Sequence, residues 1–345
     1  MSQSPALLVE VTRGERVESV HRVAACAVDA EGRVLLQAGD VEVPVFLRSA
    51  AKPFIAAAAI EAGAQSAFGL TPQEIAVMAA SHSGQPIHVA AVRSILRKIG
   101  MDASALQCGV HAPYDEASAQ ALRRAGEEPD ALHNNCSGKH AGILALCKVI
   151  GADTSTYLRV ENPAQQRILE FCARLSDDDA ATWPLGIDGC GIPAYATSLR
   201  KAARAFARFA SLTGARSEDL EALRTVRDAM VAYPQYVAGA GQLDTELMVV
   251  GNRQLVSKAG AEGVHGVAAI VKGYGYASKV VDGSTRARGP STIEALVRLG
   301  LLDDQKVAKL ARFARPAVYN RAGYAVGEIR VSSHVAVEKA SGVIV

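Results

Sequence analysis

Strand-like sequence at both ends of the chain, with a long helix-patterned stretch between them, leaves few ways to fold. Near the N-terminus, "RVAACAV" and "RVLLQAGD" flank the acidic, Gly-ended turn "DAEG", a hairpin signal. "VEVPVFL" extends toward "RSAAKPF". From there the apolar spacing predicts helices over 53–63, 72–80, 86–99, 116–125, 139–150, 162–175, 194–212 and 217–232, separated by Gly- and Pro-containing loops. Strand character returns in "QLVSK", "VHGVAAIVKG" and "YASKVVDG". Two helices near 290–300 and 303–313 follow, then a last strand over "VGEIRVSSHVAV". Such a pattern predicts an α+β protein. Its terminal strands, about 1–48 and 254–345, form one antiparallel sheet, and about 49–253 form a helical lobe, the whole being a single catalytic unit.

The 37 basic and 35 acidic residues leave a net charge of +2. That balance gives no electrostatic footprint for nucleic acid. Apolar runs fall short of the ~20 residues that span a bilayer. The opening "MSQSPALLVEVTRGE" lacks a basic region followed by an apolar one, so the expectation is a cytoplasmic protein with no membrane partner. In a reducing compartment its six dispersed cysteines are free thiols or metal ligands. Cys26, Cys147 and Cys172 lie within apolar periodicity and belong to the core.

Within "RSAAKPF", Ser49 and Lys52 are three residues apart, a spacing that puts two side chains on one helix face. A serine attacks only when a base takes its proton, and a lysine is a base only when its pKa is lowered. A buried Ser-x-x-Lys supplies both, and Pro53 places the pair at the mouth of a helix. Downstream, "VSKAGAEG" carries Lys258-Ala259-Gly260 at the end of a strand-like run. Ser81 lies in the small polar turn "SHSGQ". Two further loops enter helices. "NNCSGKHAG" offers Cys136, Lys139 and His140, and "DGCGIP" offers Asp188 and Cys190. Two thiolates and one nitrogen suit zinc with water in the fourth place. Histidine is the commoner nitrogen, and a lysine could serve only as the neutral amine.

Together these stretches, in this order and across most of the chain, resemble the rhizobial-type L-asparaginases, the asparaginase II family. The resemblance implies a glutaminase/β-lactamase-like fold, L-asparagine as substrate, zinc at the site and a homodimer. Carried over by motif, it implies catalytic pairs Ser49–Lys52 and Ser81–Lys258; the helical geometry favours Ser49 as nucleophile, with Ser81 the alternative. It also implies zinc on Cys136, Lys139 and Cys190, and Arg48, Asp188 and His140 around the substrate. The function expected is hydrolysis of asparagine to aspartate and ammonia through an acyl-enzyme. The rival readings are a penicillin-binding or β-lactamase-like serine hydrolase, and a non-catalytic protein that binds zinc or an amino acid.

Overall fold

A computed structural model describes residues 6–333 and the backbone of 338–339. The chain divides into two compact units. One comprises Met1–Ala50, Thr197–Ser211 and Glu246–Val345; the other comprises Ala51–Ala196 and Leu212–Thr245.

The first unit is built on an antiparallel sheet whose strands come from both ends of the chain. They are β1 (Leu7–Arg13), β2 (Arg16–Val28), β3 (Val34–Ala38), β4 (Leu255–Ala259), β5 (Val264–Ala269), β6 (Tyr274–Val280), β7 (Ala317–Tyr319) and β8 (Ala325–Val331). Their order is β7-β8-β1-β2-β6-β5-β4, with β3 also on β2 and Glu338–Lys339 on β3. The long β2 organises the sheet. Its first half pairs with β1, from Arg13↔Arg16 to Leu7↔Val23. Its second half pairs with β3, and on the opposite edge with β6, from Val23↔Val280 to Val28↔Gly275. The sequence of β2 changes character at the same place. Arg16–Arg22 is largely exposed, whereas Val23–Val28 is buried throughout, as a strand covered on both faces must be.

Two helices supply that cover. The helix Leu199–Ser211 packs on β2, β5 and β6. It comes close because two strand positions lack side chains. A Cβ on Gly275 would lie 2.0 Å from Ala203 O, and one on Gly266 would lie 2.0 Å from the Phe206 ring. The helix Arg288–Arg298 packs on β1, β5, β6 and β8. His265, next to Gly266 and so on the other face of β5, meets it through Nδ1 at 3.1 Å from Thr292 Oγ1.

The second unit is mainly helical. Its centre is the helix Lys52–Glu61, buried from Lys52 to Ile60. Its alanines let three helices approach: Ser137–Ile150, Pro163–Leu175 and Ser217–Ala232. The helix Pro72–Met78 starts at a capping box between Thr71 and Glu74. It packs against Ser137–Ile150 at Gly138, where a Cβ would lie 2.1 Å from Val77 O. The residues just after one helix and just before the other are therefore brought together.

A sheet from both chain ends and a helical second unit is the architecture expected. Three details differ. The stretch 194–212, expected to be one helix, is a strand at Pro193–Thr197 followed by the helix Leu199–Ser211. The five buried residues Pro193–Thr197 read equally well as buried helix or buried strand, since both present a continuous apolar run. Thr197–Ser211 and 246–253, placed by sequence in the helical lobe, belong to the sheet unit. The extended segment 41–47 is a strand only at Val45–Phe46. The last strand runs to Val331, and 334–337 of the expected segment lie outside the described residues. Among the described residues no helix is long and apolar enough to cross a membrane.

Candidate active site

Lys52 opens the central helix of the second unit and is 1% exposed. Its amine donates to Ala80 O at 2.6 Å, Ser81 Oγ at 3.0 Å, Cys136 Sγ at 3.2 Å and, at the long end, Asn135 O at 3.4 Å. Burial pushes its pKa below the usual lysine value; Cys136 pulls it back up and Lys139 pushes it further down.

Two loops deliver these partners. Ser81 follows the helix Pro72–Met78, and its N–H donates to Val237 O. The His82 N–H donates to Asn135 O. His82 Nδ1 accepts from the Gly84 N–H, so its Nε2 carries the hydrogen and donates to Ser137 Oγ at 2.9 Å. In the second loop, Asn134 holds both directions of the turn. Its Oδ1 accepts from the Cys136 N–H and its Nδ2 donates to Cys108 O.

The two loop thiols and a second lysine form one buried group. Lys139 Nζ donates to Cys190 Sγ at 2.8 Å. Cys136 ionises well below the usual thiol value, because the Cys190 S–H donates to it and Lys139 and Lys52 face it, against the opposing effect of burial. Cys190 is pushed up correspondingly. Burial lowers the Lys139 pKa, but Cys136, Cys190 and Asp188 outweigh it and hold the amine above its usual value. Elsewhere burial raises the thiols, Cys108 and Cys147 to about 11 and Cys26 and Cys172 to about 12. Cys136 is thus set apart from these four.

Among the described residues no three His, Cys, Asp or Glu side chains converge on a metal position. Cys136, Lys139 and Cys190 nevertheless converge, fully or almost fully buried, and two thiolates with an amine are a donor set that zinc accepts. The residues fit zinc provided Lys139 binds as the neutral amine.

His140 follows Lys139 into the helix and is fully buried. Tyr157 Oη accepts from the Gln107 N–H and lies 2.8 Å from His140 Nδ1. His140 Nε2 is buried and has no partner. Burial, and then the charges of Lys139 and Lys52, hold the ring neutral. This orphaned ring nitrogen points to a ligand. Asp188 sits in the tight turn before Cys190, its carboxylate accepting from the Gly189 N–H at 2.7 Å.

The other expected site residues are in the first unit. Arg48 and Ser49 lie on a single 3-10 turn, Arg48–Ala51, and Arg48 has φ 50°, a conformation costly for a residue with a side chain. Lys258 lies on β4, fully buried, its amine donating to Ala259 O at 2.6 Å. The strand end abuts the turn, since a Cβ on Gly260 would lie 2.9 Å from Leu47 O and 3.3 Å from Ala50 N. The first unit thus gathers Arg48, Ser49 and Lys258. The second gathers Lys52, Ser81, Cys136, Lys139, Cys190, Asp188 and His140.

A family model described as L-asparaginase II matches residues 9–331. The chain belongs to the L-asparaginase II family. No curated protein matches the chain. Solved structures similar to it include Mglu in its L-glutamate binding form, at 18% identity over 83% of this chain, TM-score 0.37. The asparaginase II chain spans 62% of the length of that Mglu chain. A β-lactamase from Mycobacterium bovis is 16% identical over 81% of this chain and 95% of its own, TM-score 0.44. A D-alanine carboxypeptidase AmpC from Burkholderia cenocepacia is 13% identical over 81% and 93%, TM-score 0.39. Likeness this distant bears on neither activity nor substrate.

Four participants of the site carry no signal in the sequence: the carbonyls of Ala80 and Asn135, the His82–Ser137 bond and Tyr157. Each acts through a partner distant along the chain.

Proposed function

We propose that this asparaginase II protein hydrolyses L-asparagine to L-aspartate and ammonia through an acyl-enzyme on a serine activated by Lys52. The observation that carries the reading is the buried Lys52 amine 3.0 Å from Ser81 Oγ. When neutral, Lys52 accepts the Ser81 proton, and Oγ attacks the side-chain amide carbon of asparagine. Lys52 returns the proton to the leaving nitrogen, ammonia departs, and an aspartyl ester remains on the serine. Water, deprotonated in turn by Lys52, attacks the ester; the bond from the acyl carbon to Ser81 Oγ breaks, Lys52 returns the proton to Oγ, and aspartate leaves.

This geometry favours Ser81 as nucleophile over Ser49, the choice from spacing. Asp188 binds the α-ammonium of the substrate by opposite charge. The partnerless Nε2 of His140 hydrogen-bonds the substrate's polar end. Cys136, Lys139 and Cys190 would hold zinc, which when bound supplies a positive charge that orders polar groups around it. The resemblance further supports a homodimer.

The test is ammonia release from L-asparagine and, separately, from L-glutamine, with and without added zinc. Release from asparagine is expected. No release from either amide overturns the proposal.

A further inference from the structure

The segment His111–Asp115 grips both loops that carry the site. At its far end the Asp115 N–H donates to Ser83 O, two residues beyond Ser81. Between them Pro113 lies against Gly84, where a Cβ would come within 3.0 Å of it. At its near end, His111 reaches the other loop. Its Nδ1 faces Ala112 O at 2.7 Å, and a carbonyl can only accept, so the hydrogen is on Nδ1. Nε2 is therefore a bare acceptor, and it takes the Asn135 N–H at 3.0 Å. The exposed Tyr114 stacks on the imidazole, centroids 4.6 Å apart and planes 18° from parallel, which fixes the ring's orientation.

Asn135 is the residue whose carbonyl faces the Lys52 amine and accepts the His82 N–H. It also precedes Cys136, whose sulfur accepts from the same amine at 3.2 Å. A replacement must set an acceptor where His111 Nε2 stands, within reach of the Asn135 N–H.

We propose that His111 is a positioning residue for the amide hydrolysis, aiming the Lys52 amine at Ser81 by holding the Asn135 main chain. The proposal rests on the Lys52–Ser81 reading above. His111 touches neither reacting atom. Its effect falls on kcat, because a misaimed amine slows proton transfer without removing any substrate contact.

The test compares His111→Ala, His111→Phe and His111→Gln in the full-length protein, with Lys52→Met alongside. Phe keeps the stacked ring without the acceptor, and Gln offers Oε1 to the Asn135 N–H. The expected result is a kcat lower by roughly 10-fold in Ala and Phe, with KM within about twofold, and most of the rate recovered in Gln. If Ala does not fold, the contrast of Phe with Gln carries the test. Equal kcat in Phe, Gln and wild type overturns the proposal, as does an equal loss in Phe and Gln. If Lys52→Met keeps the wild-type rate, the Lys52 reading fails and the role of His111 fails with it. A dead Lys52→Met beside an unaffected His111→Phe sinks the His111 assignment alone.

Discussion

The amine of Lys52 stands 3.0 Å from the hydroxyl of Ser81, a residue 29 positions further along the chain. The helix-face spacing that singles out Ser49 and Lys52 marks a lysine of the right kind, but its hydroxyl partner comes from another loop. Ser81→Ala and Lys52→Met are each expected to lower kcat at least ~100-fold, the scale of a lost nucleophile or base. Mass spectrometry of protein trapped with a slow asparagine analogue should place the adduct on Ser81. An adduct on Ser49 would return the nucleophile to the residue that spacing favours.

The zinc assignment makes a prediction free of activity. Purified protein is expected to carry zinc by elemental analysis, and Cys136→Ser or Cys190→Ser should lose it while keeping the far-ultraviolet spectrum of a folded protein. Undiminished zinc in both variants would remove these thiols from the metal site.

His82 and His88 stack at 4.9 Å in the second unit. Burial pushes both below the usual histidine value of 6.5, His82 well below it. Both are neutral in the fold, while an unfolded chain takes up their protons as pH falls past about 6.5. Stability is therefore full above that pH and is lost on the way down toward the folded-state values, by up to ~1.4 kcal/mol per histidine per pH unit. Urea midpoints should drop between pH 6.5 and 5.5, and less steeply in His82→Gln. Parallel pH curves for the two proteins would show that His82 does not contribute.

Gly275→Ala tests the contact between the sheet and Leu199–Ser211. The new methyl would lie 2.0 Å from Ala203 O and 2.2 Å from Ala207 N, both backbone atoms that cannot swing aside. A loss of about 3 kcal/mol or more is expected in chemical denaturation, at or above the upper end for an overpacked core. A loss under ~1 kcal/mol would mean the helix shifts freely on the sheet.

Much of this architecture is legible because local patterns persist in the fold. The helices Glu116–Ala125 and Ser217–Ala232 occupy the spans their periodicity predicts. The hairpin around "DAEG" and the strands after 254 likewise form where β-branched runs and turns place them. Two of the motif loops meet, Lys139 donating to Cys190 across 51 positions. What was not legible depends on partners far away in sequence. Nothing local to Lys52 names Ser81, and nothing local to His140 names Tyr157. Leu199–Ser211 looks like any lobe helix until Gly266 and Gly275, more than 50 residues on, create the bed it lies in.

The long β2 has a consequence for how the protein is made. Its apolar half, Val23–Val28, leaves the ribosome early, yet its partner Tyr274–Val280 emerges some 250 residues later. At ~5–20 residues per second, that edge waits on the order of 10–50 s with its hydrogen-bonding groups unmatched. An unpaired apolar strand exposed for that long can recruit a neighbouring nascent chain. Slow growth at low temperature, or a holding chaperone supplied during expression, should raise the yield of folded enzyme more than any improvement to the finished structure.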